Sequence, residues 1–358
     1  MKDARHGRFG YLPALDGMRA CAVGVVMLFH ANLPVLHGGF IGVDIFFVLS
    51  GFLITSVLLK EYERTGRISL KSFYLRRVFR LLPALVLLLL TFMVFSVVYS
   101  DTETLWSHAI DTLIVLLSSA NWARAFHIHP PDFLGHAWSL SLEEQFYLLW
   151  SLLLLAILHW RWSRRNMALF LMGLAVAAWG WRIYLLFHGA TVERVYNGLD
   201  TRADALLVGC VIGVLLSTPA FVQQMVHFFS RAGMQYLAPV AGVGLIWLCQ
   251  CMSWRNPHLY HWAQFLIAVL TALMIIDLVV APQSVLRGLL EQQWLVWTGT
   301  ISYGLYLWHY PIFRLLLLLE YTPGLVLLLG SLLTFGIASA SYYCLERPLL
   351  YRKQTASL

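Results

Sequence analysis

Apolar residues occur along this chain in blocks of about twenty, with short polar segments between them. About 20 apolar residues in a row are enough for a helix to cross the hydrocarbon core of a bilayer. Period-two alternation of apolar and polar positions, which is typical of strands, is absent. The pattern therefore predicts an all-α fold, a polytopic membrane bundle of about ten transmembrane helices, near residues 17–35, 40–59, 81–99, 138–159, 166–187, 199–217, 234–254, 259–281, 295–319 and 323–345.

One further apolar segment, residues 106–120, is shorter than these blocks. It either crosses the membrane or forms a re-entrant or interfacial piece. If it does not cross and the N-terminus is cytoplasmic, most Lys and Arg residues fall on the cytoplasmic side, as the positive-inside rule expects. If it does cross, the basic cluster at 161–165 faces outward. We therefore predict a non-crossing segment beside a polar cavity, with both termini in the cytoplasm.

Composition places the chain in a membrane rather than in solution. Of its 358 residues, 59% are hydrophobic and 12% are charged, and soluble domains carry about 25% charged residues. The net charge of +7 is expected of loops that face an anionic leaflet, so it does not indicate nucleic acid as a partner. No internal repeat divides residues 1–358, and we predict a single domain in a bacterial inner membrane. The sequence carries no motif for a metal, a nucleotide phosphate or a redox cofactor.

The first apolar block contains two ionisable residues, Arg19 and His30. Such residues are rare in membrane helices because burial of a charge in the bilayer is costly. Arg19 and His30 are eleven residues apart, so a helix places them on one face and roughly 16 Å apart along its axis. An ionisable residue inside a membrane helix is by default a candidate functional group. The alternative is that Arg19 reaches the lipid headgroups and that His30 only packs near the other interface.

The second block begins with a carboxylate, Asp44, at a depth similar to that of His30. A carboxylate that orients an imidazole is the usual partner of a general base, which makes pairing of His30 with Asp44 the favoured interpretation. Asp44 could instead stabilise only the positive end of its own helix. Ser50 and Gly51 follow on this helix. Two small residues in a row could allow another helix to pack closely, or they could contact a ligand, and the sequence favours neither.

Basic residues cluster where the third block begins, and Arg77 and Arg80 share one face there. Paired guanidinium groups suit phosphate recognition because they are always charged and bind in a bidentate manner. Without other evidence, the better interpretation is that both are ordinary positive-inside anchors.

Other polar groups lie in the second half of the chain. Glu143 follows the start of the fourth block by about a turn and a half and needs a partner, for which Arg19, His30 and Arg202 are candidates. Arg202 lies between Asp200 and Asp204, and we expect it to pair with one of them in a structural polar cluster. His309 lies in the ninth block.

Taken together, these segments resemble acyltransferase family 3, membrane proteins that O-acylate glycans, lipopolysaccharide, peptidoglycan and some natural products. The matching pieces run in order along nearly the whole chain: Leu15-Asp-Gly-Met-Arg19, the Arg19-x10-His30 spacing, Gly42–Ile54, Arg77-x-x-Arg80, Trp138–Tyr147, Thr201–Leu206, Ser302–Pro311 and Leu345–Pro348.

The resemblance implies an enzyme that takes an acyl group, by default acetyl, from cytoplasmic acyl-CoA as its co-substrate and transfers it to a hydroxyl of a saccharide acceptor. It implies catalysis by His30 and donor binding by Arg77 and Arg80, while Glu143 and Arg19 match further motif positions. We expect no resident cofactor or metal. The expected sites are catalytic His30, Asp44 and Glu143, donor-binding Arg19, Arg77 and Arg80, and substrate-binding Ser50, Trp138, Tyr147 and His309.

Some members of this family carry a C-terminal extracytoplasmic SGNH-type domain, and we expect none here. Three alternatives stay open. A proton-coupled transporter could use the same buried His, Asp and Glu groups, although transporters usually show repeated halves. An acyltransferase could act on a non-glycan natural product, and an inactive scaffold is the third alternative. The sequence does not indicate the oligomeric state.

Overall fold

The computed structural model describes residues 11–33, 36–281 and 283–350, and within these ranges the regular structure is helical, with no strand. The all-α prediction is thus confirmed. Residues 1–10 and 351–358, which bear on the predicted cytoplasmic termini, lie outside the described residues. The helices are α1 (Pro13–His30), α2 (Gly42–Thr65), α3 (Leu70–Tyr99), α4 (Thr102–Leu116), α5 (Ala120–Ala125), α6 (Ala137–His159), α7 (Arg164–Phe187), α8 (Val192–Asn197), α9 (Leu199–Leu216), α10 (Pro219–Phe229), α11 (Leu237–Cys251), α12 (Gln264–Val280), α13 (Val285–Leu290), α14 (Gln293–Thr300), α15 (Ser302–Leu318) and α16 (Pro323–Ser341).

Seven helical segments of the described chain are long and apolar enough to cross a membrane, which supports an integral membrane protein. The pair Val192–Leu216 and Pro219–Phe229, bent by 99°, makes an eighth if it is counted as one span. The predicted count of ten is not confirmed. One reason is that the block at 295–319 is split between α14 and α15. The short apolar segment at 106–120 forms α4 and the start of α5 and is not among the seven.

The described residues of 1–29, 34–68 and 143–300 form one compact unit. In it, α9 packs against both α2 and α7, and α12 packs against α2 and α9. Helix α2 is largely covered by its neighbours, whereas α7 and α11 expose large apolar side chains, as lipid-facing helices do.

The backbones of α2 and α9 are in such close contact that two positions of this unit have room only for glycine. A Cβ atom added at Gly51 would lie 1.9 Å from the carbonyl oxygen of Leu206, and one at Gly209 would lie 2.1 Å from that of Val48. Small residues let membrane helices approach in this way. The Ser50–Gly51 pair therefore serves close packing through its glycine, as one of its two interpretations predicted.

The second unit comprises residues 30–33, 69–142 and, within the described chain, 301–350. Helix α15 packs against α16 and α3 there. Pro311 lies inside α15. Because proline has no N–H, the carbonyl of Leu307, four residues earlier, loses its usual helical donor.

Candidate active site

His30, the last residue of α1, contacts a second histidine on α15. Its Nδ1 atom lies 3.1 Å from Nε2 of His309, and the two ring centroids are 5.0 Å apart. His309 is fully buried, and its Nδ1 lies 3.1 Å from the carbonyl oxygen of Leu305. Two imidazoles and one helix carbonyl thus form a hydrogen-bonded chain.

This chain fixes which nitrogen of each ring carries the proton when both are neutral. A carbonyl oxygen only accepts hydrogen bonds, so Nδ1 of His309 is protonated and its Nε2 carries a lone pair. That lone pair accepts the Nδ1–H of His30, which leaves the His30 lone pair on Nε2. Nε2 of His30 is therefore the atom that can take a proton or attack a carbonyl carbon.

Three more rings complete a cluster, hereafter the ring cluster, made of His30, His136, Tyr306, His309 and Tyr310. Tyr310 meets His30 edge to face at 4.9 Å between centroids and stacks on His136 at 5.0 Å. His136 lies 5.7 Å from His309, and Tyr306 lies 5.6 Å from His136 and 5.4 Å from His309. The cluster therefore brings together residues from the end of α1, from the position just before α6 and from the middle of α15.

The predicted pairing of His30 with Asp44 is wrong. The ion pair of Asp44 is with Arg202, whose Nη2 lies 2.9 Å from the carboxylate, and both side chains are fully buried. Arg202 also lies over the rings of Phe47 and Tyr196. The reason is electrostatic: a buried carboxylate is stabilised far more by a permanent cation than by a neutral imidazole.

The predicted pairing of Arg202 with Asp200 or Asp204 is corrected as well, because each acid has another arginine. Asp200 accepts two hydrogen bonds from Arg194. Asp204 lies 2.8 Å from Nη2 of the fully buried Arg182. Arg202 is thereby available to Asp44, and the structural character expected of this polar cluster agrees with its burial.

Glu143, in the unit that contains α2, has two hydroxyl neighbours. Ser50 donates a hydrogen bond to its Oε1 at 2.8 Å, and Tyr147, one turn further along α6, donates to Oε2 at 3.3 Å. Glu143 is partly buried and Tyr147 is buried. Three of the predicted site residues therefore form one small hydrogen-bonded group, which gives Ser50 a polar contact in addition to the packing of its neighbour Gly51.

The remaining predicted residues lie in separate places. Arg77, partly buried, and Arg80, exposed, lie near the start of α3, and Arg77 also lies over the ring of Phe73. Arg19 lies 3.5 Å from Asp16 on α1. Trp138 is buried at the start of α6. Their predicted roles in donor and substrate binding stay predictions.

The polar segment around α4 contains a buried acid, Asp111, whose carboxylate lies 3.0 Å from Nε2 of His129. Burial raises the pKa of Asp111 above its usual range, although His129 and His108 act in the opposite direction. A buried acid of this kind is consistent with the polar surroundings expected for residues 106–137.

Sequence reasoning missed His136 and Tyr310 as members of the site and assigned His309 to substrate contact only. All three lie within or next to the segments quoted for the family resemblance. Position in a motif identified the segments, but only the folded chain shows that the ring of His309 reaches His30.

Comparisons with a family model and with individual proteins identify the same family. A family model described as an acyltransferase domain matches residues 12–343. The peptidoglycan O-acetyltransferase OatA of Listeria monocytogenes serovar 1/2a is 35% identical over 349 residues, which cover 95% of this chain and 56% of the relative. The putative peptidoglycan O-acetyltransferase YrhL of Bacillus subtilis is 35% identical over 355 residues, with coverage of 95% and 55%.

A third relative, the O-acetyltransferase OatA of Staphylococcus aureus strain NCTC 8325, is 34% identical over 353 residues, with coverage of 95% of this chain and 57% of the relative. The chain thus spans a little over half the length of these curated relatives. No solved structure gives a significant match.

Proposed function

Because this chain belongs to the acyltransferase family whose domain model it matches, we propose that it is a membrane O-acetyltransferase that transfers an acetyl group from cytoplasmic acetyl-CoA to a hydroxyl of peptidoglycan or a related glycan. The observation that carries this proposal is the hydrogen bond between His30 and His309. It holds one imidazole with a defined lone pair, which is what an acyl transfer to a hydroxyl requires of a base.

The reaction then proceeds at Nε2 of His30. A hydroxyl of the acceptor gives its proton to this atom while its oxygen bonds to the carbonyl carbon of the acetyl thioester. The carbon–sulfur bond breaks, and the departing sulfur takes the proton from His30 and leaves as the thiol. In between, His309 stabilises the imidazolium because its lone pair accepts the Nδ1–H. The same tautomer also serves a route in which Nε2 carries the acetyl group briefly.

The charge of the arginines supports acetyl-CoA as the proposed acetyl donor. Coenzyme A carries several phosphate groups, and arginines are suited to bind phosphate through bidentate hydrogen bonds. Arg77 and Arg80, three residues apart near the start of α3, provide two such groups. Arg19, eleven residues before His30 on α1, is the third proposed donor-binding residue.

The group of Glu143, Ser50 and Tyr147 is proposed to hold the acceptor or to carry its proton. A carboxylate that already accepts hydrogen bonds from two hydroxyls is suited to accept others from a saccharide. Mutation of Glu143 to glutamine keeps the shape of this side chain and removes its charge, which makes that variant the natural test of the role.

The first experiment compares membranes that contain matched amounts of the wild-type chain or the His30→Ala variant. Labelled acetyl-CoA and peptidoglycan fragments are added, and label in the glycan fraction is measured. General-base help contributes about 10²–10⁴-fold, so we expect His30→Ala to lose at least about 100-fold in rate. His188→Ala, which removes an exposed imidazole at the end of α7, is the matched control and should retain the wild-type rate.

Each contrary result addresses one part of the proposal. Equal labelling by wild type and His30→Ala would remove His30 from the chemistry. Absence of label with wild type would contradict the proposed donor or acceptor. Proton-coupled uptake of a solute by vesicles that show no labelling would support the transporter alternative instead.

A further inference from the structure

His136, just before α6, is a buried imidazole that the mechanism above does not use. The residue is 3% exposed, and neither ring nitrogen forms a hydrogen bond of normal geometry within the described chain. Its backbone is well held, because its carbonyl accepts hydrogen bonds from the hydroxyls of Ser139 and Tyr306, each at 3.2 Å. Buried polar groups without partners are uncommon in proteins, and each one calls for an explanation.

The surroundings of His136 indicate which of its nitrogens is protonated. The carbonyl of Leu307 is close enough to interact with the His136 ring, and Pro311 has removed the N–H that would otherwise occupy that carbonyl. A carbonyl only accepts, so the nitrogen facing Leu307 carries the proton. The other nitrogen of the neutral ring then carries a lone pair for which no described residue supplies a donor.

This lone pair belongs to the same cluster as the reacting atom of His30. Tyr310 is in ring contact with both His30 and His136, at 4.9 and 5.0 Å between centroids. His309 also contacts both rings. The ring cluster therefore places the lone pair of His136 beside two rings, those of Tyr310 and His309, that also contact His30.

We propose that the lone pair of His136 accepts a hydrogen bond from a second hydroxyl of the acceptor sugar, one other than the hydroxyl that His30 deprotonates. The ligand class is thus a saccharide with at least two free hydroxyl groups rather than a simple alcohol. This inference rests on the proposed function and deepens it, because it adds a residue that selects the acceptor. A site built to bind a substrate hydroxyl discriminates against the analogue that lacks it, since the protein group is then left unpaired.

The test measures the activity of each enzyme variant with each of several acceptors. Wild type, His136→Ala and His136→Gln are assayed in membranes with labelled acetyl-CoA. The acceptors are methyl N-acetylglucosaminide and its 3-, 4- and 6-deoxy derivatives. We expect wild type to prefer the parent sugar over at least one deoxy derivative that keeps the reacting hydroxyl, by about tenfold in kcat/KM. His136→Ala should lose this preference, because it loses rate on every acceptor that keeps the second hydroxyl and not on the derivative that lacks it. His136→Gln, which keeps an acceptor oxygen, should restore part of the preference.

His309→Ala serves as the comparison, because a residue that acts through His30 should slow all acceptors by the same factor. If His136→Ala and His136→Gln also slow every acceptor equally, or if wild type shows no preference among the acceptors it acetylates, this inference is overturned and the proposed function stands. If wild type transfers acetyl from acetyl-CoA to neither these sugars nor peptidoglycan, the proposed function itself fails, and the inference fails with it.

Discussion

The carboxylate of Asp44 and the guanidinium of Arg202 lie 2.9 Å apart, and neither side chain has any solvent exposure. Two further charges, Arg182 and Asp204, form a second buried pair in the same unit. Charges without solvent are costly unless each has a partner, and loss of one partner leaves the other uncompensated. The position of Asp44 in a family motif is therefore accounted for by its ion pair with α9 rather than by orientation of His30.

Replacement of Asp44 by asparagine should destabilise the protein strongly. Removal of one member of a buried ion pair typically costs about 3–5 kcal/mol, because the remaining charge stays buried. Thermal unfolding of the detergent-solubilised protein measures this effect. Arg194→Gln, which breaks the partly exposed pair with Asp200, is the control and should cost about 1 kcal/mol or less. Equal melting temperatures for Asp44→Asn and wild type would show that the buried pair contributes little.

Gly51→Ala should also destabilise the fold, through a different mechanism. The added methyl group would lie 1.9 Å from the carbonyl oxygen of Leu206, so α2 and α9 would have to separate, and overpacking of this kind costs about 1–3 kcal/mol or more. Gly24→Ala is the matched control, since a Cβ there meets nothing within 4 Å and alanine is the better helix former. The same unfolding assay should show a lower Tm for the first variant and an unchanged or higher Tm for the second.

His309→Ala should lower kcat and leave the KM for the acetyl donor nearly unchanged. Without its acceptor, Nδ1–H of His30 loses the hydrogen bond that selects the tautomer, and we expect a loss of roughly 10²-fold, within the range of general-base catalysis. His309→Gln keeps an acceptor oxygen near the position of Nε2 and should recover part of the rate. Steady-state kinetics of both variants measure kcat and the KM for the acetyl donor. A rise in KM without a fall in kcat would instead support the substrate contact that the sequence suggested for His309.

Arg77→Gln and Arg80→Gln should each raise the KM for acetyl-CoA and leave that for the glycan unchanged. A hydrogen bond to a charged group contributes about 1.5–3 kcal/mol, which corresponds to about tenfold or more in KM. Arg67→Gln is the control, because Arg67 is exposed in the turn between α2 and α3 and lies outside the paired motif. If all three variants behave alike, the arginines act only as anchors at the membrane surface.

Periodicity and hydropathy were sufficient to predict that the chain is helical, that it lies in a membrane and where most of its helices begin. They also identified His30 and Glu143, because a polar group in an apolar block stands out in any single helix. They did not give the contacts between helices. Spacing along a helix defines a face and an approximate depth, and several neighbours share both, so Asp44 was assigned to His30 when its partner was Arg202.

The division of the block at 295–319 was equally hidden, since Thr300 and Ser302, on either side of the break at Ile301, also occur inside membrane helices and do not by themselves predict a break. The effect of Pro311 shows the same limit. Its missing N–H is evident from the sequence, but the use of the carbonyl that it releases depends on His136, which lies far away in the chain.

The hydrogen bond between His30 and His309 joins residues 279 positions apart in the chain. During synthesis, α1 and its imidazole are made long before α15, which carries the residue that selects the tautomer of His30. The proposed base therefore lacks its hydrogen-bond partner in the nascent chain until α15 has been made.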